Sequence, residues 1–130
     1  MKNNIKKIRY VLETKPSVMF AYLFGSRNTN KNNQRSDWDI AIYFNQYPVE
    51  KNPWIRFTIQ AELSAILKTD AVDIIVLNTL EEPSLAFDII NNSTILLDKD
   101  PSRRIIYEAM VLNKYFDWQY FLKRHLHSIF

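Results

Sequence analysis

One glycine, Gly25, serves this entire 130-residue chain, where average usage of about 7% would supply roughly nine. The other turns must therefore be built from Asn, Asp, Ser and Pro. A position that keeps glycine under such economy needs either a positive φ or the close approach of a ligand to the backbone. Gly25 ends an apolar, aromatic run, Val18–Phe24, and is followed by Ser26. Backbone N–H groups at the end of a strand, ahead of a helical turn, suit a phosphate. By itself the pair reads equally as a plain tight turn.

Hydrophobic periodicity divides the rest of the chain. Ile5, Ile8, Val11 and Leu12 recur at helical spacing, which predicts a helix over 4–14 that Pro16 ends. Strands are predicted at 18–24, 39–44, 71–77 (taken as the central strand) and 95–97, with helices at 54–68 and 102–126 and a short helix closing at 88–91. Residues 27–36 are polar and predict a loop. The expected fold class is therefore α/β (α+β): a mixed sheet of about four strands flanked by helices, in one domain over residues 1–130.

Composition narrows the function classes. The chain has 47% hydrophobic residues and no cysteine, so a packed core is expected, and disulfides, thiol chemistry and thiolate metal sites are excluded. No apolar run reaches the roughly 20 residues of a membrane span. The basic start, followed by Val18–Phe24, is interrupted by Glu13 and Lys15 and lacks a small-x-small cleavage site, so a cytoplasmic protein is expected. Net charge is +3, distributed as +7 over residues 1–36, −7 over 37–98 and +3 over 99–130. An acidic centre and the absence of a recognised motif argue against direct nucleic-acid binding.

Ten residues separate Ser26 from the start of the acidic centre, Asp37-Trp38-Asp39. Residues two apart on a strand share a face, so Asp37 and Asp39 would project together. Two ionised carboxylates at one place repel unless a cation lies between them. Mg²⁺ takes oxygen ligands and leaves room for water and substrate phosphates; a solvated strand edge is the plainer explanation. Asp73 interrupts the apolar run Ala71–Leu77, and a buried carboxylate there would require a metal or a cation such as Arg35 as partner.

Together these residues resemble the DNA polymerase beta-like nucleotidyltransferases: Leu23-Phe24-Gly25-Ser26-Arg27, the ten-residue spacer, Ser36-Asp37-Trp38-Asp39-Ile40-Ala41, then Val72-Asp73-Ile74-Ile75. The likeness spans about residues 5–98, and the small size is similar to that of minimal nucleotidyltransferases, including antitoxins paired with HEPN-domain ribonuclease toxins. The resemblance implies transfer of AMP from ATP to a tyrosine of such a toxin. It assigns Asp37, Asp39 and Asp73 as catalytic residues and ligands of two Mg²⁺ ions. Gly25 and Ser26 are expected to meet the triphosphate, Arg27 and Arg35 to add charge there, and Ser36 to complete the nucleotide-binding set by positioning the Asp strand. A small-molecule acceptor of the aminoglycoside kind, or an antitoxin that acts by binding alone, are the alternatives. The helix over 102–126 carries Tyr107, Met110, Val111, Tyr115, Phe116, Trp118, Phe121 and Leu122, too wide a set for one apolar stripe. One face is expected to cover the domain and the remainder to dock the toxin. His125 and His127 are two apart and would diverge on a helix, which argues against a metal pair.

Overall fold

The computed structural model describes residues 2–25 and 37–127, in the order α1 (Lys2–Glu13), β1 (Val18–Phe24), β2 (Trp38–Phe44), α2 (Ile55–Leu67), β3 (Val72–Val76), a 3₁₀ turn (Leu77–Thr79), α3 (Pro83–Asn91), β4 (Thr94–Asp98) and α4 (Pro101–His127). Each predicted element is present, with ends that move by a residue or two. The predicted loop 27–36 lies outside the described residues.

The four strands form one sheet in the order β3-β2-β1-β4. β1 runs antiparallel to both β2 and β4, while β2 and β3 are parallel. This corrects the sequence reading of residues 71–77 as the central strand: β3 is an edge, and the centre belongs to β1 and β2. The apolar density of β3 misled because helix α2 covers one of its faces. Val72, Ile74 and Val76 point into that core, whereas Asp73 is exposed and Ile75 half-buried.

Alternation sorts the side chains into two cores. Ala21, Leu23, Ile40, Ile42, Phe44 and Ile74 pack beneath α1 and α2 with Ile8, Leu12, Ile59 and Leu63. Phe20, Tyr22, Phe24 and Ala41 pack on the opposite face with Ala86, Ile89, Tyr107 and Val111 of α3 and α4. Two residues have positive φ among those described, Gly25 at 77° and Lys68 at 55°. Lys68 provides the left-handed cap of α2, its N–H donating to Ser64 O, a post usually held by glycine.

Both sheet edges are sealed by side chains. On β3, Arg56 Nε donates to Ile74 O at 3.0 Å and Gln60 Nε2 to Val72 O at 2.8 Å. On β4, Arg9 Nε donates to Leu96 O at 2.7 Å. Such contacts occupy carbonyls that would otherwise invite another strand.

Helix α4 is fastened at its base by a polar cluster that the sequence reading did not find; its one visible trace is the Arg104/Glu108 spacing of four. Arg104 Nε meets Asp98 Oδ2 at 2.7 Å, its Nη1 meets both Glu108 oxygens at 3.1 Å, and the hydroxyl of fully buried Tyr22 donates to Glu108 Oε2 at 2.8 Å. Burial, followed by the Glu108 contact, pushes the Tyr22 hydroxyl pKa up. Asp98 above all, with Glu108, raises that of Arg104 against the opposing effect of burial. Among the described residues Asp98 Oδ1 is buried without a hydrogen-bond partner, and Arg104 bridges Asp98 to Glu108. Arg104→Met is expected to destabilise the fold by about 2–3 kcal/mol at neutral pH, read as a lower urea midpoint. An unchanged midpoint would show that the cluster contributes nothing.

Candidate functional site

The carboxylates meet where β1 ends and β2 and β3 begin. Phe24 pairs in register with Asp39, and Asp39 with Asp73. Their strand parity places Asp39 and Asp73 on the α3/α4 face, at its uncovered end. Asp37 stands two residues before Asp39, directly ahead of β2, and is exposed. Asp39 is half-buried, and its carboxyl pKa is raised by that burial, then by the charge of Asp73, then by that of Asp37. The three acids expected from the sequence therefore share one locality, where the charges of Asp73 and Asp37 act on Asp39. Among the described residues no trio of acidic, His or Cys side chains is already closed into a metal-binding group.

Asp73 differs from the first of its expected settings. Its place in an apolar run predicts burial with a metal or a cation such as Arg35 as partner, or else an exposed strand end. It is exposed on the edge strand, where solvent lowers the cost of its charge and no buried partner is required.

Gly25 has the positive φ expected of it, and the group set against its backbone is a side chain of the protein itself. Its φ of 77° is left-handed, and a Cβ there would lie 3.1 Å from Asp39 Cγ and collide with Asp39 Oδ2. The group that crowds this backbone is the central carboxylate. Ser26, Arg27, Arg35 and Ser36, the remaining nucleotide-binding candidates, fall outside the described residues. His125 Nδ1 lies 2.9 Å from Phe121 O and its ring stacks on Phe121; the side chain of His127 lies outside the described residues.

The donor set suits a hard divalent cation. All three groups are carboxylates, and the ionised form of Asp39 is opposed by burial and by two like charges, both of which a cation would offset.

The polymerase beta, nucleotidyltransferase family matches residues 6–102, covering every strand and all three acids. The chain belongs to this nucleotidyltransferase family. A curated relative, the protein adenylyltransferase MntA of Aphanizomenon flos-aquae (strain 2012/KM1/D3), is 36% identical over 69 residues, which are 48% of this chain and 46% of the relative. The matched stretch thus spans about half the length of that relative. Among solved structures, a chain of a toxin–antitoxin crystal structure with AMP-PNP superposes with a TM-score of 0.78 at 20% identity, covering 97% of this nucleotidyltransferase and 98% of that chain. A chain from the complex of tri-AMPylated Shewanella oneidensis HEPN toxin with its MNT antitoxin gives 0.73 at 19% identity, covering 98% and 97%. At these identities the likeness establishes the fold, α4 included.

Proposed function

We propose that this nucleotidyltransferase moves AMP from ATP to a tyrosine hydroxyl of a HEPN-type toxin and so serves as its antitoxin. The observation that carries the reading is Asp39, held against the Gly25 turn with Asp37 and Asp73 acting on its charge. The adenylyltransferase relative and the toxin–antitoxin neighbours support the same choice of donor and partner.

Asp37, Asp39 and Asp73 would hold Mg²⁺, which when bound polarises the α-phosphate and makes an acceptor hydroxyl acidic at neutral pH. The chain's own groups do the remaining work. Gly25 turns the backbone without a Cβ and leaves its approach to Asp39 clear. Asp73, exposed on the edge strand, is assigned to receive the proton that the acceptor hydroxyl loses. Ser26, Arg27, Arg35 and Ser36 are assigned to the triphosphate, by hydrogen bonds and by charge. The products are the AMP–tyrosine phosphodiester and pyrophosphate.

Helix α4 is assigned to the partner. Its 27 residues extend about 40 Å at 1.5 Å per residue, against roughly 23 Å for a seven-residue strand. Tyr107 and Val111 are its buried residues. Tyr115 stacks on Phe87 of α3 at 3.9 Å, while Met110, Phe116, Tyr120 and Phe121 are exposed. Exposed aromatics and Met are the usual material of an interface core. Ending the chain after Leu112 is expected to abolish capture of the toxin in a pull-down while leaving affinity for ATP within about twofold. Undiminished capture would move the interface elsewhere.

The decisive experiment mixes the chain with ATP, Mg²⁺ and a HEPN-type toxin, and reads intact mass. A gain of one or more AMP units on the toxin, mapped to tyrosine, is expected. A complex without mass gain would make the chain an antitoxin by binding alone.

A further inference from the structure

Asp73 is the one carboxylate of the trio carried by an edge strand. β2 flanks β3 on one side, and among the described residues the other side has no strand. Successive carbonyls of a strand point to opposite sides. Ala71 O faces β2, accepting from Trp38 N at 2.8 Å, so the carbonyls of Val72 and Ile74 point outward. These carbonyls belong to the residues on either side of Asp73, and they are the two that α2 grips: Gln60 Nε2 at 2.8 Å from Val72 O and Arg56 Nε at 3.0 Å from Ile74 O. Four residues apart on α2, Arg56 and Gln60 share a helix face, and their donors span the strand on both sides of Asp73.

We infer that Arg56 and Gln60 are positioning residues, which hold the backbone on either side of Asp73 and thereby keep the third carboxylate in register with Asp39. This rests on the assignment of the three acids to a divalent cation. An edge strand without these bonds has one ladder to fix its twist and height, and the reach of a short Asp side chain tolerates little displacement. The competing role is simple edge sealing, and the fold contains its own control. Arg9 seals the β4 edge with the same chemistry at 2.7 Å, and β4 carries none of the three acids.

The test uses the full-length chain and two readouts that need neither ATP nor a partner: Mn²⁺ affinity by electron paramagnetic resonance, and amide hydrogen exchange. Arg56→Met with Gln60→Met is expected to weaken Mn²⁺ binding about tenfold or more and to speed exchange in β3 while β1 stays protected. Arg56→Lys, which keeps a donor, should recover part of the affinity, and Arg9→Met should leave it unchanged. Gln60→Met alone, losing one bond of the two, gives a smaller shift in the same direction and serves if the double variant does not fold. Parental Mn²⁺ affinity in the double variant, an equal loss in Arg9→Met, or exchange rising uniformly through the sheet would each overturn the inference. Absence of Mn²⁺ binding in the parent would instead overturn the cation assignment, leaving exchange to judge the two bonds. Loss of AMP transfer with normal Mn²⁺ binding would fault the proposed reaction alone.

Discussion

Asp39→Asn is expected to lower AMP transfer roughly a thousandfold or more, the several kcal/mol of transition-state stabilisation that a metal-held phosphoryl group provides, while raising the melting temperature of the free protein. The two effects share one cause. Burial and the charges of Asp73 and Asp37 raise the Asp39 pKa above its unfolded value, so folding favours the protonated form. The stability this group provides is full below the ordinary carboxylate pKa of about 3.9 and is lost as pH rises through the raised value in the folded protein. At neutral pH without a divalent cation, ionised Asp39 therefore works against the fold, and the isosteric amide removes that burden. Calorimetry at pH 7 in chelator checks the sign, and a lower melting temperature for the variant would mean that the Asp39 charge is supported.

Gly25→Ala is expected to cost about 2 kcal/mol or more of stability and on the order of a hundredfold in transfer. A left-handed conformation costs a residue with a Cβ about 1–2 kcal/mol, and that Cβ would press on the carboxylate of Asp39 with an overpacking penalty of similar size. Gly25→Asn separates the two causes, because Asn tolerates φ near +60° yet still carries a Cβ. The expected result is partial recovery of stability with no recovery of transfer. Restored transfer in the Asn variant would show that backbone conformation alone explains the glycine.

These variants also mark how far the sequence could be read. Gly25 stood out as the chain's one glycine, and Asp37, Asp39 and Asp73 by their spacing on predicted strands, because period and turn chemistry are local properties of the chain. The residues around them were not legible in the same way. Arg56 and Gln60 look like ordinary polar positions on an amphipathic helix; their bonds to β3 depend on where α2 lies against the sheet. The Tyr22, Asp98, Arg104 and Glu108 cluster joins residues up to 86 positions apart, and no window on the sequence contains such a pair.

The sequence by itself determined the elements, the two-faced patterning of the strands and the identity of the acids, since each follows from neighbours within a few residues. Strand order was decided by the tertiary structure alone. An apolar strand reads the same at a centre as at an edge when a helix covers one of its faces, so β3 looked central and Asp73 looked buried. Once β3 lies at the edge, Asp73 meets solvent, and the carbonyls beside it need donors from α2. The glycine's neighbour was settled in the same way: antiparallel pairing sets Phe24 opposite Asp39, which brings the turn after β1 onto the carboxylate.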